Sequence, residues 1–495
     1  MNRIKPLARI LAEGGNGTRG LKRTLGPWGL TAMGVGAIIG TGIFVLTGVG
    51  SATRAGPALT ISFIIGGIVA GLAALCYAEV SSKVPIAGSA YTYTYATVGE
   101  FFAWIVGWGL VLEYALAGST ISVGWSGYFS YILRTLHIWD IPQVWQHGHW
   151  DPTPGSANLP AAAIILVITA LLVKGTRESG TVNSIIVAIK VAVVLFFIAI
   201  GVGRIDPANY HLPAGPATGA GGFFPFGWSG VFGGAAFMFF AYLGFDAVST
   251  TAEEARNPGR DLPFGIMVSL IACTILYIIV VAILNGMVPF NLLNVAYPVA
   301  FAVDRAGLAW AGVIISFGAI GGLTTALLVA MYGQTRIFYA VARDGLIPPV
   351  FAKLHPAWRT PWVSQIIFGL LIAAAAAFFP VSLLASLANM GTFAAFILVA
   401  TALPLLRTRH PELKGSFKVP FGPYVIPVLA AASSLSMMYY LKNGNPVVWG
   451  VPIAWLGFLT WLVIGLILYF SYGRHKSTLA LEEAEGLAIR QPRVN

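Results

Sequence analysis

Uninterrupted apolar runs of about 17–25 residues, each long enough to cross a bilayer as a helix, recur along the whole of this 495-residue chain. No soluble architecture hides so many of them. Hydrophobic residues make up 57% of the chain and charged residues only 9%, whereas an ordinary globular domain carries about 25% charge. A membrane β-barrel would show short strands alternating apolar and polar residues, and the chain has no such alternation. The sequence therefore describes an all-α polytopic membrane protein whose first partner is the lipid bilayer.

Twelve spans are expected. The first six are Leu25–Val49, Pro57–Glu79, Phe101–Leu133, Ala161–Val173, Asn183–Val202 and Phe232–Val248. The second six are Phe264–Val288, Ala309–Tyr332, Trp362–Phe379, Leu383–Leu406, Tyr424–Leu441 and Val451–Tyr472. With the N-terminus inside, 23 of the 29 Lys and Arg residues fall in inside segments, and five (Arg54, Arg134, Arg204, Arg305 and Lys442) fall in outside loops. Lys190 lies within a span. Such a bias predicts both termini in the cytoplasm and a multi-pass protein of the plasma (inner) membrane. The polar, basic stretch Met1–Arg23 lacks the apolar core of a cleaved signal peptide. Trp139, Trp145 and Trp150 mark the outer interface, and His147 and His149 beside them have no third ligand close in sequence, so no metal is expected there.

The net charge of +11 is scattered over short loops rather than gathered into a stripe with interleaved aromatics, so no nucleic-acid partner is expected. Cys76 and Cys273 are the only cysteines and both lie in apolar runs, which leaves no disulfide framework and no thiolate metal site. The chain contains no His-Glu-x-x-His, nucleophile elbow or P-loop, and no cofactor is called for. An enzyme is not expected.

Hydrocarbon satisfies no backbone N–H or C=O, so irregular backbone inside a span survives only against protein or a water-filled cavity. Two spans hold such stretches: Gly34-Val35-Gly36-Ala37-Ile38-Ile39-Gly40-Thr41-Gly42-Ile43-Phe44 in the first, and Phe239-Phe240-Ala241-Tyr242-Leu243-Gly244-Phe245-Asp246 in the sixth. Small residues serve close helix packing too. The first and sixth spans, however, are matching members of two successive groups of five, which points to an inverted-repeat transporter with a midplane site. Half-helix N-termini offer N–H groups to a carboxylate, and half-helix C-termini offer carbonyls to an ammonium. A zwitterionic amino acid presents both.

Several stretches resemble the amino acid-polyamine-organocation permeases, and their cationic amino acid transporter branch most closely. They are GAIIGTGIF (36–44), YAEVSSKVPIAGSAYTYTYATVGE (77–100), FFAYLGFDAVSTTAEEARNPGRDLP (239–263), YGQTRIFYAVARDGLIP (332–348) and FKVPFGPYVIP (417–427). The resemblance implies a 5+5 inverted repeat (LeuT-like) with broken helices 1 and 6 and two appended helices. The parts are then a cytoplasmic tail (1–24), a first repeat (25–203), an extracellular loop (204–228), a second repeat (229–407), two further helices (408–473) and a cytoplasmic C-terminal tail (474–495). It implies that Thr41 and Gly42 form the carboxylate-binding backbone, that Ile38 and the carbonyls of Ala241 and Leu243 contact the amine, that Phe240 gates the substrate, and that Leu323 limits its side-chain pocket.

Ionisable groups at membrane depth cost about 2.5–3.5 kcal/mol on insertion scales, so Glu113, Lys190 and Asp246 call for roles. The resemblance places Glu113 near the substrate, where it attracts a basic side chain or, as a neutral acid, bonds frayed backbone. Asp246 follows the second break and ties an inner gate or caps N–H groups. Lys190 stands at the eighth position of its span, about 10 Å from the cytoplasmic end at 1.5 Å per residue; its stem reaches only part of that distance, so it either snorkels or exchanges a proton, and the resemblance, whose sodium-independent members carry a lysine there, favours the second. The expected partners of a proton-exchanging Lys190 are Gly36, Thr324 and Thr325. The expected function is sodium-independent, proton-coupled symport of cationic or small neutral L-amino acids. The alternatives are an amino acid or polyamine exchanger of the same fold and, in another class, a channel. A small accessory membrane subunit is compatible with all of them.

Overall fold

Backbone groups in hydrocarbon must bond within their own segment, and the apolar runs accordingly fold as helices. The computed structural model describes residues 3–6, 25–83, 89–153, 155–175, 180–246, 248, 255–409, 411, 413, 415 and 417–485. Most of the expected N-terminal tail (7–24), the end of the C-terminal tail (486–495) and parts of two quoted motifs (84–88, 247 and 249–254) lie outside the described residues.

The principal helices are α1 (Pro27–Ile38), α2 (Leu59–Lys83), α3 (Glu100–Thr135), α4 (Leu159–Lys174), α5 (Gly180–Gly201) and α6 (Gly227–Met238). They continue with α7 (Pro258–Met287), α8 (Ala309–Arg343), α9 (Trp362–Phe378), α10 (Val381–Arg409), α11 (Val425–Tyr440) and α12 (Ile453–Leu468). Among the described residues, 7 helical stretches are long and apolar enough to cross a membrane, and α4, α9 and α11 are shorter apolar helices. The helices α1 and α6 are short for a specific reason: each stops where its span breaks.

The helices α3 and α10 form the centre. Of the apolar window of α10, 78% is buried, against 22% for α12, so α12 presents most of its surface outward. The main packing pairs include α1 with α7 and α6 with α2, α8 with α5 and α3 with α10, α2 with α7, α3 with α8, and α4 with α9. Adding five to both helix numbers of a pair, and counting past ten back to one, turns α1–α7 into α6–α2 and α5–α8 into α10–α3 and maps α3–α8, α4–α9 and α2–α7 onto themselves. The peripheral α12 is fastened to α3 by a reciprocal tryptophan pair. Trp108 Nε1 donates to the Trp461 carbonyl at 2.7 Å, Trp461 Nε1 donates to the Trp108 carbonyl at 2.9 Å, and the rings stack with centroids 4.3 Å apart.

Both ends of the described chain pack on one face. Arg3 bridges Glu100 (3.2 Å) and Glu483 (2.7 Å), and Lys5 Nζ meets Asp344 at 2.9 Å. Trp139, Trp145 and Trp150 are exposed on the opposite face, where Trp150 stacks on Phe379. One expected loop charge is placed differently. Arg54 belongs to the helical turn Ser51–Ala55 and is only 2% exposed, because the first span continues past Val49 until Gly56, with φ of 59°, turns the chain into α2.

Candidate functional site

The two irregular stretches meet. The helix α1 ends at Ile38, Ile39 takes an extended conformation (φ −72°, ψ 104°), and helical geometry resumes at Thr41, leading into a wide turn over Gly42–Leu46. The helix α6 tightens into a single 3₁₀ turn over Phe239–Tyr242 and then unwinds at Leu243 (ψ 137°) and Gly244 (φ 109°). A Cβ on Gly42 would overlap the backbone of Ala241, and one on Gly244 would sit 2.8 Å from the Ala37 carbonyl oxygen. The breaks are therefore notched into each other at two points, and glycine is required at both. This accounts for Gly42 before any ligand is considered. The contact is helix against helix, so even a methyl group there displaces backbone.

Neighbouring side chains satisfy much of the backbone that the breaks release. Tyr277 Oη donates to the Ile38 carbonyl at 2.8 Å, Lys190 Nζ to the Gly36 carbonyl at 3.0 Å, and Asn389 Nδ2 to the carbonyls of Ala236 and Phe237 at 2.9 Å. Ile38, expected to meet an amine, thus already accepts one bond, leaving its carbonyl a single further lone pair. Among the described residues no backbone acceptor takes the N–H of Gly40 or Thr41, and no donor reaches the carbonyl of Ala241 or Leu243. The Thr41 hydroxyl is buried without a hydrogen-bond partner. Donors and acceptors thus stand open on two adjoining breaks. Phe240 lies in the 3₁₀ turn between them and is buried.

Lys190 is 3% exposed and ties three helices together. Its amine reaches α1, and its stem lies across Gly322 of α8, where a Cβ would come within 2.9 Å of its Cγ and Cε. The expected hydroxyl partners are not brought to it. Thr324 Oγ1 accepts Trp125 Nε1 at 3.0 Å and donates to the Ile320 carbonyl at 2.8 Å, while Thr325 Oγ1 donates to the Gly322 carbonyl at 2.9 Å. Both hydroxyls fold back on α8 because its close approach to α5 is made at the glycine. Leu323 is fully buried.

Glu113 stands on the α3 face that packs on α10 near Thr392, whose hydroxyl donates to the Ala388 carbonyl at 3.1 Å, and its Oε2 is buried without a partner. Asp246, also buried, is within electrostatic range of it and of Tyr77. Tyr77 packs edge-on against Phe245 and Phe396, with its hydroxyl unpartnered. The sequence expectation omitted Tyr77, Trp125, Tyr277, Asn389 and Thr392. Only Asn389, an amide within an apolar run, carried a visible signal; the tyrosines and Trp125 look like core residues until their polar atoms are located.

A cavity of about 860 Å³ opens on the face opposite the termini, lined by Val49, Val123, Ser126, Tyr297, Leu383 and Gly444 among others. Its wall at Val123 adjoins Gly124, whose Cα faces Val45 and Thr41, so it approaches the first break from that side. His147 lines the outer part of this cavity with its Nδ1 4.0 Å from Asp151, and His149 packs against Trp150.

A family model described as amino acid permease matches residues 25–470. Over 477 residues, 96% of this chain and 98% of its counterpart, the sequence is 44% identical to a methylthioribose transporter of Bacillus subtilis (strain 168). It is 46% identical over 472 residues (94% and 96%) to the branched-chain amino acid permease BcaP of the same organism. Identity to the vacuolar cationic amino acid transporter 4 of Arabidopsis thaliana is 40% over 401 residues, 80% of this chain and 65% of the relative.

Proposed function

Because the chain belongs to the amino acid permease family, we propose that it is a secondary transporter carrying L-amino acids by sodium-independent, proton-coupled symport. The observation that carries this is the pair of notched breaks, where among the described residues the N–H groups of Gly40 and Thr41 and the carbonyls of Ala241 and Leu243 have no backbone partner. A zwitterion satisfies both sets at once: its carboxylate takes the N–H groups and the Thr41 hydroxyl, and its ammonium takes the carbonyls. Phe240 covers it, Leu323 bounds the side-chain pocket, and Glu113 favours a basic side chain. The paired helix contacts support twelve spans arranged as a 5+5 inverted repeat with α11 and α12 appended. The charge bias of the loops supports cytoplasmic termini.

Lys190 is the coupling residue in this scheme. Charged, it holds α5, α1 and α8 together through Gly36 and Gly322; deprotonated, it donates a weaker bond and lets α1 move, which links proton release to the inward-open state. Uptake into proteoliposomes of a panel of labelled L-amino acids, with and without a pH gradient, tests both parts. Uptake is expected to rise as external pH falls, to ignore sodium and to collapse with a protonophore, and Lys190→Met is expected to keep binding but lose pH-driven accumulation. A sodium requirement, or normal accumulation by the variant, overturns the coupling scheme. Flux that needs substrate on the far side assigns exchange instead.

A second substrate class is favoured by the relative named as a methylthioribose transporter. An uncharged thio-sugar would use the same open donors and acceptors through hydroxyl groups. Methylthioribose that competes for uptake while amino acids do not would select it.

A further inference from the structure

On the face opposite the termini a guanidinium lies buried with no hydrogen-bond partner among the described residues. Arg54 is 2% exposed, and its Nε, Nη1 and Nη2 are all buried without a hydrogen-bond partner. Among the described residues no carboxylate forms an ion pair with it. Its one compensating contact is the face of Phe237, 4.9 Å from the guanidinium carbon. Arginine does not shed its proton in a protein, and a cation–π contact offsets only part of what removing such a charge from water costs. A site built this way needs an anion. Two further observations say where it would enter. Gly444 packs directly on the guanidinium, where a Cβ would stand 2.6 Å from Nη1, so a residue without a side chain is the partition on this side of the arginine. Gly444 and Thr53, on either side of Arg54, both line the open cavity of about 860 Å³.

We propose that Arg54 anchors a binding site for a small monovalent anion, a halide or a carboxylate, behind the wall of that cavity. The five N–H donors of the guanidinium form the recognition surface, and Phe237 holds its plane in place. A carboxylate would be gripped by two parallel hydrogen bonds and a halide by the fork of the guanidinium. The site is separate from the two breaks and does not depend on which solute they carry.

The test uses purified full-length protein without any transported solute. Melting temperature is followed while chloride, bromide or acetate replaces 2-(N-morpholino)ethanesulfonate, a much bulkier anion, at constant ionic strength. A saturable rise with chloride and bromide alone identifies a halide site, and one with acetate identifies a carboxylate site. In either case Arg54→Gln should weaken the apparent affinity about tenfold or more, the loss expected for a charge-assisted hydrogen bond. No saturable effect in the parent protein, or an equal effect in Arg54→Gln, overturns the proposal. If Arg54→Gln does not fold, crystals of the parent protein grown with bromide decide the matter: anomalous scattering at the guanidinium supports the site, and its absence at saturating bromide removes it. Failure of amino acid uptake would leave these outcomes unchanged.

Discussion

At the face that carries both termini, the buried carboxylates Glu79, Glu100 and Asp344 each have several partners; at the opposite face, a buried guanidinium has none among the described residues. Glu100 receives bonds from Arg3, Tyr95, Tyr469 and Ser477. Asp344 receives Lys5 at 2.9 Å and Tyr91 at 2.7 Å, and Glu79 receives Arg407, Lys83 and the Val419 N–H at 2.7 Å. Across the molecule lie Arg54 and an open cavity. Buried charges are tolerated when fully paired and costly when not, so this structure is locked at one end and unsatisfied at the other. The lesson is conformational. The terminal face is closed, the opposite face gives the approach to the breaks, and a transport cycle has to dismantle the paired end.

The largest effect that would break this contrast is expected from Asp344→Ala. It removes the carboxylate that Lys5 and the Tyr91 hydroxyl both bond in the interior, which costs about 3–5 kcal/mol. Maleimide labelling of a cysteine placed at Ala342, a buried neighbour on α8, should accelerate about 100-fold or more, and unchanged labelling would show that the terminal face is not held by this pair. Next in size is Gly244→Ala, at the boundary between the two halves. With φ of 109° and the Ala37 oxygen 2.8 Å from the new carbon, it should cost about 1–3 kcal/mol and lower the melting temperature, while Gly321→Ala, where a Cβ meets open space, should not.

A smaller change is expected from Tyr277→Phe, which removes the donor to the Ile38 carbonyl and costs about 1 kcal/mol. If the ammonium of the substrate shares that carbonyl, substrate affinity shifts as well, and a calorimetric titration separates the two effects. The smallest effect sharpens the contrast at its edge. The hydrogen bond and charge of Arg3 hold the Glu483 carboxyl below the usual carboxylate range. Docking of the segment Thr478–Ala484 through this pair is therefore complete above the ordinary carboxylate pKa and lost as pH falls through the lowered value. Hydrogen exchange in that segment should speed up in acid, and Glu483→Gln should remove the pH dependence.

Much of this architecture was legible because hydrocarbon leaves a chain few options. The helix positions follow from the apolar runs, and the breaks were marked by glycines at 40, 42 and 244 in the middle of spans. The depth of Lys190 was legible from counting residues, but its partners were not: a run of letters does not show that α8 approaches α5 at Gly322 and turns the hydroxyls of Thr324 and Thr325 away. Arg54 was misplaced for a related reason. A lone arginine beside small polar residues looks like a loop charge, and only the continuation of the first span to Ala55 buries it. Tyr277 and Tyr128, whose hydroxyls bond the carbonyls of Ile38 and Phe44, carry no sequence mark at all, since an apolar ring and a hydrogen-bond donor share one letter.

The two breaks, notched at Gly42 against Ala241 and at Gly244 against Ala37, have a kinematic consequence. Two elbows that interlock at two points form a scissor joint: neither arm swings alone, because turning one half-helix presses its partner's backbone aside. The pivot of the molecule is thus not a flexible segment but a crossing of two rigid ones, and any ligand seated at the crossing lies on the axis of the movement, where it is displaced least while everything around it turns.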